Sequence, residues 1–249
     1  MTTAHVTWIV PCFEEAARLD GPAFLLLADG SAPSTMVFVD DGSRDSTLAV
    51  LRGLAGKRPG RIDVLALATN QGKAEAVRQG MLSALARKTD IIGYVDADLA
   101  TPPAELQRLA WLAREGGYDI LMGSRVQLLG RSIQRNNIRH YTGRVFATCA
   151  SLSLGLPVYD TQCGAKLFRR TDALAAALAL PFTSRWAFDV ELLARLVRPP
   201  PGVTPIETAR IREEPLLAWT DVPGSKLGVL AALSSGLDLL RIAFTSRRG

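Results

Sequence analysis

The sequence has three cysteines and two histidines in 249 residues, and neither kind clusters. Cys12, Cys149 and Cys163 are odd in number and widely separated, without the short spacings that close a zinc site or a disulfide framework. A reducing compartment, the cytoplasm, is the expectation. His5 and His140 stand alone and read as ordinary surface or part-buried residues rather than metal ligands. No stretch reaches the ~18 uninterrupted apolar residues of a membrane-spanning helix. The first residues, MTTAHVTWIVPCFEE, lack the basic start and apolar core of a secretion signal. The chain is therefore expected to touch a membrane from one face at most. Aromatics are only 6% of the residues, and no strand interleaves them with basic residues as a base-stacking surface would, which counts against nucleic acid as a partner.

What is present is ordinary for a globular protein: 48% hydrophobic and 21% charged residues, without a glycine period, internal repeat or low-complexity linker. The length fits one α/β domain. Charge is more telling in its distribution than in its total. Lys and Arg number 29 against 24 Asp and Glu, a net +5 that invites an anionic partner. Between Asp119 and Asp160 there is no carboxylate, yet Arg125, Arg131, Arg135, Arg139 and Arg144 all lie there. A solvated helix face usually carries both signs. An arginine-only stretch favours bidentate binding of phosphate.

Short β-rich runs alternate with helical periodicity through the first half. Strands are expected at Val6–Val10, Thr35–Val39, Ile62–Leu67, Ile91–Val95 and Asp119–Gly123, with helices at Glu14–Ala28, Asp45–Leu54, Lys73–Ala86 and Pro103–Arg114. Such βα units predict a mostly parallel sheet covered on both faces, with ligands outside the carboxyl ends of its strands. In the second half, residues 132–153 read as helix, 157–170 as a loop or hairpin, and Trp186–Leu196 as an amphipathic helix. A last strand is expected near Val203–Ile211. From about Leu227, the residues Leu230, Leu233, Leu237, Leu240 and Phe244 form an apolar stripe suited to a core, a dimer face or a membrane surface.

Polar motifs follow the strands. Asp96-Ala97-Asp98 comes directly after Ile91–Val95, and two carboxylates so placed repel unless a cation lies between them. A hard divalent ion with oxygen ligands is the usual answer, and it can also hold substrate phosphates. FVDDGSRDST supplies Asp40, Asp41, Ser43, Asp45 and Thr47 after the second strand, as a turn and helix cap and as acceptors for a base or ribose. Asn70-Gln71-Gly72-Lys73 combines a glycine, a cation and a helix N-terminus, which together favour a phosphate. Trp186 and Trp219 read as packing residues. Cys163 reads as structural, with Lys166 and Arg169 near enough in sequence to depress its pKa.

Taken in order, VPCFEEAARL, VDDGSRDST, NQGKAEAVRQG, DADLATP, MGSR, DTQCGAKLFRR, FDVELLARL and VPGSK resemble the motif series of glycosyltransferase family 2 over about Val6 to Arg241. Within it the chain looks most like the polyprenyl-phosphate (dolichyl-phosphate) glucosyltransferases, on DTQCGAKLF and WAFDVELL. The resemblance implies a GT-A fold: a Rossmann-like nucleotide-sugar half, about residues 1–125, and an acceptor half, about 126–249, within one domain. It implies that Pro11, Phe13, Glu15, Val39 and Asp41 hold the nucleoside. Asp96, Ala97 and Asp98 would form the metal and diphosphate motif, with Mg²⁺ or Mn²⁺ at Asp96 and Asp98. Arg125 and Lys226, with Lys73, would lie near the donor phosphates, and Arg139 near the acceptor phosphate. Asp160 and Asp189 sit in motifs of the branch and are carried as catalytic candidates. Departures from the family pattern are Glu14 for asparagine, Ala74 for glycine, and Gly143 where mannosyltransferases tend to have serine.

The implied reaction is inverting transfer of a hexose, glucose from UDP-glucose, to a polyprenyl phosphate at the cytoplasmic face of a membrane. A phosphate monoester with a second pKa of about 6 is a ready nucleophile that needs little help from a base. If the acceptor is instead a soluble alcohol, a carboxylate base is required, and Asp160 or Asp189 are the candidates. A nucleotide-binding protein without catalysis is the third alternative. Oligomeric state stays open, a homodimer included.

Overall fold

The computed structural model describes residues 4–30, 34–87, 89–134 and 137–222, and only the backbone of 137–142. The first half alternates β1 (Val6–Cys12), α1 (Gly21–Ala28), β2 (Ser34–Asp40), α2 (Thr47–Lys57), β3 (Ile62–Ala66), α3 (Lys73–Leu85), β4 (Ile91–Val95), α4 (Pro103–Glu115) and β5 (Ile120–Ser124). The second half adds β6 (Ser132–Gln134), α5 (Asn137–Leu154), β7 (Ala165–Arg169), α6 (Asp172–Ala179), α7 (Phe188–Val197), β8 (Ile211–Pro215) and β9 (Ala218–Thr220). Seven strands form one sheet in the order β3-β2-β1-β4-β7-β5-β8, and β6 pairs with β9 in a separate parallel ribbon. All pairings in the main sheet are parallel except those of β7, which runs antiparallel between β4 and β5.

The expected layering is present. Alternate side chains of the central strands feed two separate cores, as period-2 geometry requires. Ile9 of β1 packs with α3, α5, α6 and α7 on one face, whereas Trp8 and Val10 pack with α1, α2 and α4 on the other. In α4 the buried Leu106, Leu109, Ala110 and Ala113 follow helical spacing from a start at Pro103, where a missing N–H costs nothing. No helix among the described residues is long and apolar enough to cross a membrane.

Several boundaries differ from the sequence expectation. The first helix begins at Gly21, not Glu14, because Asp20 caps it by accepting from Ala23 N and Pro22 fits its first turn. Residues 132–134 are a strand rather than helix, held to β9 at the Ile133–Trp219 register. The segment expected as a loop or hairpin contains β7, an inner strand of the main sheet. The strand expected near Val203–Ile211 instead starts at Ile211, after a short 3-10 turn at Thr208–Arg210. The apolar stripe from Leu227 lies outside the described residues.

α3 lies unusually close to the sheet. A Cβ on Gly80 would stand 2.3 Å from Ile9 Cγ2 and 2.9 Å from Val39 Cγ2. Gly80→Val is therefore expected to cost about 2 kcal/mol or more in urea unfolding; a variant as stable as the parent would contradict this close packing.

Candidate active site

The polar motifs meet outside the carboxyl ends of β1, β2 and β4. The first two are knitted to each other. Ser43 Oγ accepts from Glu14 N at 3.0 Å, and Thr47 Oγ1 accepts from Glu15 N at 2.8 Å and Ala16 N at 3.0 Å. Asp45 accepts from Thr47 N at 2.9 Å in the turn that leads into α2, whose N-cap is Ser46 rather than Ser43 or Asp45. Glu14 sits at φ 52°, the left-handed region where asparagine is tolerated better than glutamate, which gives the departure at this position a local conformational cost. Glu15 is buried and grips Arg18 through both carboxylate oxygens, and Arg18 in turn lies within the field of Asp98.

Asp41 is not an open acceptor. Its carboxylate takes Asn70 Nδ2 at 3.0 Å, Gln71 N at 2.7 Å and Gly72 N at 2.8 Å, fixing the loop that leads into α3. Burial raises its pKa despite these donors. Gly42, at φ 66°, lets the chain pass directly against that loop, since a Cβ would fall 2.5 Å from the Thr69 carbonyl carbon. Its neighbour Asp40 buries Oδ1 without a hydrogen-bond partner among the described residues.

Lys73, the first residue of α3, extends across to Asp96, with Nζ 2.5 Å from Oδ1. Its side chain keeps 39% exposure and that of Asp96 33%, so this pair is open to solvent rather than in the core. Burial disfavours the ammonium, but the charges of Asp96, Asp189 and Asp98 outweigh that and raise its pKa. Asp98 closes a tight turn by accepting from Ala100 N at 3.1 Å, and Leu99 between them is held at φ 49°. Burial first, and the Asp96 charge second, raise the Asp98 pKa. Asp96 rests against Gly164: Asp96 N donates to Gly164 O at 3.1 Å, and a Cβ on Gly164 would stand 2.1 Å from Asp96 Oδ2. Any side chain there would displace the Asp96 carboxylate.

A second group lies where β5 ends. Asp160 holds Arg125 by a bidentate pair of 2.6 and 2.7 Å, and also accepts from Arg125 N at 3.0 Å. The Arg125 guanidinium stands 5.3 Å over the Trp219 ring. Glu213 of β8 anchors this corner from below, accepting from Tyr159 N at 2.7 Å and Asp160 N at 2.6 Å. Arg144 on α5 stacks 3.7 Å over Tyr159. Arg125, Arg144, Thr161 and Gln162 line a narrow hollow. It adjoins a groove of about 300 Å³ along α5, lined by Arg144, Ser151, Leu152, Pro157 and Val158 among others.

Asp189 is 6% exposed and lies in a third, internal cluster with Lys166 and Tyr94. Burial pushes its carboxyl up and pulls the Lys166 ammonium down, so each charge depends on the other beside it. Cys163 is fully buried, as a structural cysteine should be, and burial followed by the Asp160 charge pushes its thiol up to about 11, outweighing Arg125 and Lys166. Trp219 is packed as expected, whereas Trp186 is 37% exposed.

The structure thus brings Glu15, Asp41, Lys73, Asp96, Ala97 and Asp98 to one cleft, with Pro11, Phe13 and Val39 on the strands and turn that frame it, and groups Arg125 with Asp160 beside β5. Lys226, Arg135 and the side chains of Arg139 and His140 lie outside the described residues. Arg18, Gly164 and Glu213 belong to the candidate site and were not singled out from sequence. Only Arg18 carried a readable signal, a Glu15-x-x-Arg18 spacing within one turn. Asp96 and Asp98 offer hard carboxylate oxygens of the kind Mg²⁺ and Mn²⁺ accept. Among the described residues no cluster of three or more His, Cys, Asp or Glu forms a metal cage. A cation there would complete its shell with water and phosphate oxygens, which suits an ion that is bound together with a diphosphate.

Comparison with known proteins accords with this geometry. The model of "Glycosyl transferase family 2" matches residues 7–174. A "Dolichyl-phosphate beta-glucosyltransferase" of Drosophila melanogaster is 35% identical, over 94% of this chain and 73% of the relative. The Homo sapiens protein of the same name is 31% identical, over 96% and 75%. Among solved structures, glucosyl-3-phosphoglycerate synthase from Mycobacterium tuberculosis superimposes with a TM-score of 0.68 at 16% identity, covering 98% of this chain and 80% of that one. A complex of that synthase containing Mn²⁺, UDP-glucose and glycerol 3-phosphate gives 0.65 at 18% identity, over 95% and 80%. At such identities the likeness speaks for the fold, and it agrees with the GT-A architecture expected from sequence.

Gly164→Ala pushes a methyl group into the space of the Asp96 carboxylate. We expect it to weaken Mn²⁺ binding, measured by calorimetry with UDP present, by about tenfold or more, the usual scale for disturbing a ligand's support. Unchanged affinity in a folded variant would contradict the wall at Gly164.

Proposed function

The chain belongs to glycosyl transferase family 2, and on that premise we propose that it transfers glucose from UDP-glucose to a polyprenyl (dolichyl) phosphate at a membrane surface, with inversion at the anomeric carbon. The observation that carries this reading is a likeness spanning nearly the whole chain to relatives named for that reaction. The nucleotide-sugar occupies the cleft outside β1, β2 and β4, and the acceptor phosphate approaches from the side of β5 and α5. The loops around Pro11, Phe13, Glu15, Val39 and Asp41 frame the nucleoside. Lys226 and Arg139 join the phosphate-binding set.

Asp98, with Asp96, would hold Mg²⁺ or Mn²⁺, which when bound offsets the charge that the departing UDP gains. The chain's own cations do the rest. Lys73 is stationed at the helix start beside Asp96, where it can pass from carboxylate to phosphate. Asp160 takes the Nε–H and one Nη2–H of Arg125, so three of its five N–H groups lie beyond that pair. The guanidinium is thereby locked in orientation before an anion arrives, which is the preorganisation that electrostatic catalysis needs. Arg144, stiffened by its stack on Tyr159, lines the same hollow. The α5 groove beside it, with the exposed Leu152 at its edge, gives an apolar path for the first isoprene units.

In the reaction an acceptor phosphate oxygen forms a bond to the sugar's anomeric carbon as the bond from that carbon to UDP breaks. UDP leaves with the electron pair. No proton has to be removed, because the monoester is largely dianionic at neutral pH, with a second pKa of about 6. The internal engagement of the two candidate bases agrees with this. Asp160 is committed to Arg125 and Asp189 to Lys166. A neutral alcohol acceptor would need one of them released.

The test is UDP release from UDP-glucose with Mg²⁺ or Mn²⁺, with and without a short-chain polyprenyl phosphate. Release that needs both the metal and the polyprenyl phosphate is expected. Transfer to neutral alcohols alone would overturn the acceptor assignment. Asp98→Ala is expected to lower turnover by at least ~100-fold while the chain stays folded; near-normal turnover would remove Asp98 from the mechanism.

A further inference from the structure

Lys166 is a charged side chain in a position built for a hydrophobe. It is 1% exposed in the middle of the sheet, where β7 pairs it with Tyr94 on one side and Met122 on the other. Burying an ammonium costs several kcal/mol unless every donor is paired and its charge is answered. Here the pairing is complete. Nζ donates to Cys163 O at 2.6 Å, to Tyr94 Oη at 2.9 Å and to Asp189 Oδ1 at 2.9 Å, and Tyr94 Oη donates to the same Asp189 oxygen. An apolar side chain of similar volume would fill this space without that cost. What only the ammonium supplies is a joint among three elements.

That joint has a location. Tyr94 lies on β4 two residues before Asp96, Cys163 lies one residue before Gly164, and Asp189 lies in the first turn of α7. Gly164 is the wall on which the Asp96 carboxylate rests, and its carbonyl receives Asp96 N. We propose that Lys166, together with Asp189 and Tyr94, is a positioning group: it clamps the Cys163–Gly164 peptide against the end of β4 and so sets the Asp96 carboxylate before cation and diphosphate arrive. Lys166 touches neither substrate nor reacting atoms. It acts through Asp96, and Asp189 is its counter-charge rather than a base. The inference rests on the reading of Asp96 as a ligand of the cation–diphosphate pair.

Lys166→Met alone leaves the Asp189 charge buried without its partner, so the decisive variant is the double substitution Lys166→Met with Asp189→Asn. It removes both charges and keeps the volumes close. Replacing a buried ion pair in this way is compatible with folding, so a merely structural role predicts a working enzyme. The readouts are Mn²⁺ affinity in the presence of UDP, by calorimetry or electron paramagnetic resonance, and KM for the acceptor. We expect cooperative unfolding to persist, Mn²⁺–UDP affinity to fall about tenfold, and KM for the acceptor to stay put. A loss of threefold or less overturns the proposal, and any larger loss in the folded variant supports it. If the double variant does not fold, Tyr94→Phe takes its place, because it deletes only the hydroxyl that bridges Lys166 and Asp189; the same threefold limit applies. Should the parent chain itself bind no Mn²⁺–UDP, the reading of the cleft falls as well. Should the parent bind and the variant bind equally, this proposal alone falls.

Discussion

Like charges crowded at one end of a sheet set the problem that this architecture solves. Asp96, Asp98, Asp160 and Asp189 are gathered near the ends of β4, β5 and β7; burial raises the pKa of Asp98 and Asp189, and the Asp96 charge raises that of Asp98 further. Each carboxylate would weaken its neighbours without a cation close by. Lys73 answers Asp96, Arg125 answers Asp160, Lys166 answers Asp189, and Arg18 approaches Asp98 from the Glu15 turn. A ligand that brings a diphosphate and a second phosphate adds further negative charge. On the proposed reading the cations already in place, joined by a divalent ion, would hold that charge where water otherwise does.

The fold serves this arrangement by putting backbone constraints where the charges are. Parallel strands β1, β2 and β4 end together, so the turns after them converge without long loops. β7 then runs the other way between β4 and β5. Its reversal delivers the Cys163–Gly164 peptide to the foot of Asp96, from the opposite direction to the strand that carries Asp96 itself. Glu213 does the same for the second corner, reaching from the edge strand β8 to hold the amides of Tyr159 and Asp160. Among the described residues, two that are not glycine, Glu14 and Leu99, sit in the left-handed backbone region, and both lie in turns beside the site, where strain is held by the surrounding bonds.

Much of this was legible in the residues. Strands buried on both faces read as short apolar runs, which is why β1 to β5 and the helices between them follow the sequence expectation closely, except for the late start of α1 at Gly21. The aspartates after β4 and the lysine opening α3 were legible as chemistry because their position at strand ends gives short polar motifs their meaning. The rest was hidden for physical reasons. AKLFR of β7 carries a lysine as its second residue, and nothing local tells that this ammonium is neutralised by Asp189, 23 residues on. IREEP of β8 is an edge strand, where charged side chains are the rule and hydrophobic periodicity is lost. Gly164 looks like any loop glycine until Asp96 is placed against it. The acid-free arginine stretch announced an anion. That Arg125 reaches it through a clamp from Asp160 depends on a contact 35 residues apart.

The account rests on the aspartate pair after β4 as the meeting point of cation and diphosphate. A crystal grown with Mn²⁺ and UDP-glucose and measured at the manganese edge tests it most directly. One anomalous peak between the Asp96 and Asp98 carboxylates and the diphosphate, with Lys73 turned toward a phosphate oxygen, is the result predicted. Manganese or diphosphate bound elsewhere, with Lys73 still on Asp96, would contradict it.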